Sequence, residues 1–139
     1  SDVKNKEKEA LEFYGRNLGL TFQIADDTLD YNSEIKLFGK EIGQDFYEGK
    51  ITLPIILLFQ KANEKEKAKL KDIFLKEKRI ESDLDYTLSL IKKYNIIIAC
   101  YQKAQHYINL ASNSLSIFKN CEEKDILNDL TSFSLTRNF

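Results

Sequence analysis

Methionine and tryptophan are absent from this sequence, and histidine occurs once. The two cysteines, Cys100 and Cys121, are too few for a disulfide framework, so a reducing, cytoplasmic setting is expected. No apolar run reaches the ~18 residues that a membrane span needs. The first nine residues are polar and charged, unlike a secretory leader. One proline and five glycines in 139 residues exclude a turn-rich sandwich or a collagen-like chain. An excess of one charge is lacking too. Twenty-one Lys and Arg face 22 Asp and Glu, for a net charge of -1, which argues against a general nucleic-acid binder. What remains is 42% hydrophobic and 31% charged, enough to bury a core. The length fits one domain or a piece of one. With no Met, the chain is expected to be trimmed, tagged or a fragment of a longer one.

The scarce residues are unevenly placed. Gly15, Gly19, Gly39, Gly43 and Gly49 all precede residue 50, Pro54 follows, and residues 55–139 contain neither type. Glycine is costly inside regular elements and is kept where the backbone turns or approaches closely. Residues 1–60 therefore read as the site-bearing part, and residues 61–139 as helical scaffold. Leu11, Tyr14, Leu18, Phe22, Ala25 and Leu29 recur at spacings of 3 and 4, which predicts a helix over about 3–31. On it, Gly15 and Gly19 predict close approach by another helix, at a cost of about 1 kcal/mol each against Ala. Residues 32–49 read as a loop. Thr52 is a predicted N-cap, with Pro54 in the first turn of a helix reaching Ala62. The charged stretch 61–81 predicts two short exposed helical pieces. Three further helices are marked by Leu84, Leu88, Ile91 and Tyr94, then by Ala104, Ile108, Ala111 and Leu115, and last by Ile126, Leu127, Leu130 and Phe133. Alternation with period 2 is nearly absent, so the fold class is all-α.

The segment Phe22-Gln23-Ile24-Ala25-Asp26-Asp27-Thr28-Leu29-Asp30 carries the chemistry. Asp26 and Asp30 share a helical face, and Asp27 lies at i+3 from Asp30. Like charges at this spacing repel, and Asp is a poor residue inside a helix. A cation offsets that repulsion. The donors are hard carboxylate oxygens without Cys or His, which points to Mg²⁺ or Ca²⁺ and away from zinc. Carboxylates on a helix differ from the alternating oxygens of an EF-hand loop. They suit Mg²⁺, which takes one or two carboxylates and completes its shell with water and phosphate oxygens.

Downstream, Gly39-Lys40-Glu41-Ile42-Gly43-Gln44-Asp45 leads into Glu48-Gly49-Lys50-Ile51-Thr52-Leu53-Pro54. Lys40 and Lys50, each beside a glycine, supply positive points where backbone can approach an anion. Carboxylates with a metal on one side and lysines on the other form a diphosphate clamp. Cys100 and Cys121 read as ordinary helix residues, and His106 as structural.

Together with Gly15-Arg16-Asn17-Leu18-Gly19, these motifs resemble the trans-isoprenyl diphosphate synthases, and among them the long-chain, octaprenyl-type branch. The likeness is continuous over residues 11–60, with looser agreement in the later helices and at Arg137. It implies the C-terminal portion of the all-α isoprenoid synthase bundle. It also implies Mg²⁺-dependent head-to-tail condensation of isopentenyl diphosphate with an allylic diphosphate. By this resemblance Asp26, Asp27 and Asp30 are the second aspartate-rich motif, with Asp26 the main direct ligand and Asp30 and Asp45 acting through water. Gln23 lines the reacting ends, Phe22 walls the pocket, and Lys40 and Lys50 hold the allylic diphosphate.

The family pattern needs two such motifs facing each other, and Asp-Asp-x-x-Asp occurs once; Asp83 and Asp85 lack the i, i+4 spacing. The isolated chain is therefore expected to be inactive. It is also expected to self-associate through helices, as a homodimer or otherwise, or to pair with a complementary N-terminal half. A short-chain farnesyl or geranylgeranyl synthase, and a non-catalytic helical partner of a complete synthase, are the alternatives.

Overall fold

The computed structural model describes residues 2–32, 42–118 and 122–138, of which 132–138 are described by backbone alone. Among the described residues there are helices and no strand, as the sequence predicts. The chain divides into two compact units, Ser1–Ala25 with Tyr101–Phe139, and Asp26–Cys100. Helix α1 (Asp2–Leu29) and helix α6 (Ile96–Ser114) each begin in one unit and end in the other. No helix of the described residues is long and apolar enough to cross a membrane.

In the first unit, the α1 stripe buries Tyr14 and Leu18 against Ala111 and Leu115, with Phe118 and Leu127 flanking. Leu115 opens a short 3-10 turn (Leu115–Ile117) after α6, and Leu127 belongs to α7 (Glu122–Asn138). The Tyr14 hydroxyl donates to the Leu127 carbonyl at 2.7 Å. Thr21 donates its hydroxyl to the Asn17 carbonyl at 3.0 Å, returning a side-chain polar group to its own helix. Leu11, expected on the buried stripe, is exposed. The close approach expected at Gly15 and Gly19 is not made by the described residues either: a Cβ at each would meet nothing within 4 Å.

The second unit is built round α3 (Leu53–Lys61), whose Ile55 and Leu58 are fully buried and which packs on α5 (Glu81–Lys93). Thr52 occupies the N-cap position with extended backbone, but its hydroxyl caps nothing. The Thr52 carbonyl instead accepts the Ile55 and Ile56 N–H groups, and Pro54 removes one donor from the first turn. Residues 61–81 correct the expectation of two short exposed pieces. They form one helix, α4 (Glu64–Leu75), started by an Asn63–Glu66 capping box. Leu70 and Ile73 are buried on it, a stripe masked by the lysines, glutamates and aspartate of 64–72. The predicted loop 32–49 also contains a short helix, α2 (Gln44–Tyr47). Without Gly or Pro beyond residue 54, the chain turns at Asn95 in the left-handed region (φ 53°) and at extended residues Ala62 and Lys76. Asn tolerates that conformation better than most residues. His106 is exposed, its ring edge-on to Tyr107. Cys100 is a buried free thiol, and burial pushes its pKa up to about 11. Cys121 lies outside the described residues.

Glu66 ties α4 to the end of α5. Its carboxylate accepts from the Lys93 ammonium at 2.8 Å, from the Tyr94 hydroxyl, and from the Asn63 N–H at 2.9 Å. Hydrogen bonds from Lys93, then Tyr94 and Asn63, bring its pKa from the ordinary 4.5 down to about 2. A depressed carboxylate contributes stability above its unfolded value and loses it as the pH falls through the folded value. The melting-temperature gap between wild type and Glu66→Gln is therefore expected to be full above pH ~5 and to close between about pH 4.5 and 2. A gap independent of pH across that window contradicts the assignment.

Candidate functional site

Helix α1 ends in carboxylates, where the helix dipole is also negative, so this terminus is electrostatically unfavourable unless something compensates. The geometry shows one compensation. Asp30, 1% exposed, accepts the Asp45 backbone N–H on Oδ2 at 2.9 Å. Its own carbonyl accepts the Gly43 N–H, also at 2.9 Å. Gly43 is the N-cap of α2 and has no side chain to cap it, so Asp30 supplies the acceptor from 15 residues upstream. Gly43 sits at φ 90°, and a Cβ there would lie 2.7 Å from Leu84 Cδ2.

The other members of the acidic cluster differ from Asp30. Asp26 is exposed and Asp27 partly so. The Asp45 carboxylate lies 3.8 Å from the Lys50 ammonium, which also pairs with Glu48 at 2.9 Å. The hydrogen bond to Glu48, then the charges of Glu48, Asp45 and Asp27, raise the Lys50 pKa, so it carries its charge at neutral pH. Lys50 remains 60% exposed and can reach outward. The second unit thus gathers Asp27, Asp30, Asp45 and Lys50, with Asp26 exposed on the same helix. Phe22 and Gln23 belong to the first unit, and both are exposed. Gly39 and Lys40 lie outside the described residues, and so does the side chain of Arg137.

Two residues here escaped the sequence reading. Tyr31 is buried, and its hydroxyl has no hydrogen-bond partner among the described residues. Burial, then the charges of Asp30, Asp45 and Asp27, push its pKa far up, so it stays protonated. Arg79 reaches back from the α4–α5 connection. It donates Nε to the Phe46 carbonyl at 2.8 Å and Nη1 to the Lys76 carbonyl at 2.8 Å. The signal for Arg79 was faint: it is the only arginine between residues 17 and 136, in a stretch where lysine supplies the other positive charges. Gly49 also changes meaning. At φ 75°, its missing Cβ clears Arg79 Nη2, which would lie 2.6 Å away.

Among the described residues, no three His, Cys, Asp or Glu side chains converge closely enough to cage an ion. The donors are all hard oxygens. They fit Mg²⁺ that takes one or two carboxylates and draws the rest of its shell from water and phosphate, not an ion needing a full protein cage.

A sequence model of the family described as polyprenyl synthetase matches residues 1–91. The chain is 29% identical over 133 residues to the octaprenyl diphosphate synthase of Haemophilus influenzae, covering 96% of this chain and 40% of that protein. It is 30% identical over 132 residues to a short chain isoprenyl diphosphate synthase of Methanothermobacter thermautotrophicus, covering 95% and 40%. The structure is similar to that of a polyprenyl synthase from Caulobacter crescentus, solved with calcium and isoprenyl diphosphate. That TM-score is 0.82 at 34% identity, covering 94% of this chain and 40% of the other. The chain spans about two fifths of the length of the relatives it matches.

Asp30 is the acceptor on which the α2 clasp depends. Asp30→Ala is expected to destabilise the chain by about 1.5–3 kcal/mol, the range for a hydrogen bond to a charged group. Asp30→Asn keeps an acceptor oxygen and should cost less. Urea unfolding of both variants measures this, and an Ala variant within a few tenths of a kcal/mol of wild type contradicts it.

Proposed function

This chain belongs to the polyprenyl synthetase family, and on that premise we propose that the protein it represents is a prenyltransferase. The reaction is the Mg²⁺-dependent head-to-tail condensation of isopentenyl diphosphate with an allylic diphosphate to a polyprenyl diphosphate. This chain contributes one metal and diphosphate half-site. The carrying observation is the 2.9 Å bond from the Asp45 N–H to Asp30, which joins two motifs distant in sequence into one acidic and basic cluster. The relative solved with calcium and isoprenyl diphosphate supports a divalent cation and a diphosphate in this fold.

In this reading Asp26 and Asp27 present oxygens outward to Mg²⁺, while Asp30 and Asp45 brace them or act through water. Mg²⁺, when bound, supplies Lewis acidity, neutralising charge on the diphosphate as the carbon–oxygen bond breaks. Lys50 meets the allylic diphosphate, whose leaving oxygen takes the bonding pair, and Lys40 is assigned the same role from the sequence. The alkene of isopentenyl diphosphate then forms the new carbon–carbon bond, and a proton is lost. Phe22 and Gln23 are assigned to the pocket that keeps water from the cation. The substrate partners are the two diphosphates. A second copy or a complementary N-terminal half completes the assembly, in the cytoplasm. The octaprenyl-type motif agreement favours a long product, and the short-chain relative keeps a shorter one as the alternative.

The test is steady-state turnover of the intact protein carrying this chain, with isopentenyl diphosphate and an allylic diphosphate. Asp26→Asn is expected to lower kcat by about 10²-fold or more, roughly 2.7 kcal/mol in the barrier. Turnover within twofold of wild type contradicts the role given to Asp26.

A further inference from the structure

Arg79 lies far in sequence from every motif assigned above, yet its guanidinium is spent on the loop that carries Asp45 and Lys50. We propose that Arg79 is a positioning residue of the metal and diphosphate half-site, acting through α2. The link to ligand rests on the function proposed above; the link to α2 stands on geometry alone.

The contacts form a bridge. On one side Nε donates to the Phe46 carbonyl at 2.8 Å and Nη2 to the Tyr47 carbonyl at 3.3 Å, the carbonyl end of α2. On the other side Nη1 donates to the Lys76 carbonyl at 2.8 Å, with the Phe74 carbonyl at 3.4 Å at the end of α4. A four-residue helix has too few internal bonds to hold itself, so its ends decide whether it forms. Asp30 secures its N–H end, Arg79 its carbonyl end, and Phe46 plugs its buried side edge-on against Phe74 at 5.4 Å. The planar fork of arginine reaches several carbonyls at once, which a lysine ammonium does not. Gly49 completes the fit, since any Cβ there would collide with Nη2. Asp45 lies at the start of α2 and Lys50 just beyond its end, so their spacing is set by whether α2 is formed.

The experiment is amide hydrogen exchange by NMR on the 139-residue chain, alongside calorimetric titration with Mg²⁺ and inorganic diphosphate. Arg79→Ala is expected to speed exchange at the Asp45, Gly49 and Lys50 amides at least tenfold. Amides of α5 and α6 should stay within threefold of wild type. Diphosphate affinity in Mg²⁺ should fall about tenfold, and Arg79→Lys should restore neither. Gly49→Ala, which changes no residue of the α4–α5 connection but displaces the Arg79 guanidinium, should move the same amides. Combined with Arg79→Ala it should add less than its own separate effect. Unchanged exchange at Asp45, a uniform rise across the chain, full additivity of the two substitutions, or wild-type behaviour of Arg79→Lys overturns the proposal. Should the wild-type chain bind no diphosphate, the half-site reading fails, and the exchange pattern still decides the hold of Arg79 on α2.

Discussion

The bond from the Asp45 backbone N–H to the Asp30 carboxylate is the constraint on which the site depends. It brings a carboxylate that would only add repulsion to a negative helix end into use as an external cap for a second helix. A buried carboxylate is tolerable only when its charge is met by donors, and an N-terminal helix amide is a good one. The same contact turns the Asp30 carboxylate inward. With Asp30 committed inward, Asp26 and part of Asp27 are left facing out.

Around that contact the second unit secures α2 with interactions of different kinds. Phe46 is fully buried, edge-on to Tyr47 and to Phe74 of α4, which in turn meets Phe59 of α3, and this chain of rings supplies the apolar hold. Arg79 supplies the polar hold on the carbonyl side. The left-handed glycines at 43 and 49 clear Leu84 and Arg79. Lys50 is thereby presented beside Asp45 and Glu48, exposed but already flanked by negative charge. Under the proposed function, a diphosphate at Lys50 would compete with those carboxylates unless a cation offset them, a physical reason for metal and diphosphate to bind together.

The helices were legible because they rest on local periodicity, and the family because short motifs of the sequence resemble its members. Tyr14, Leu18 and Pro54 act where the sequence places them. Other features depend on contacts between distant residues. Spacing puts Asp26 and Asp30 on one face, but it says nothing of a loop returning from residue 45 to bury one of them. Helix α4 was obscured because Leu70 and Ile73 are thinly spread among lysines and glutamates. Gly43 and Gly49 stand in the left-handed region and clear Leu84 and Arg79, atoms no motif contains. Asn95 replaces glycine as a turn residue, so scarcity of Gly and Pro did not mean scarcity of turns.

The central claim is that a divalent cation and a diphosphate meet at this cluster together. Paramagnetic Mn²⁺, used in place of Mg²⁺ in NMR spectra of the chain with inorganic diphosphate, tests it most directly. The account predicts selective broadening of the amide signals of Asp26, Asp27, Asp45 and Lys50, strong with diphosphate present and weak without it. Broadening centred on other residues, or none when both are present, contradicts it.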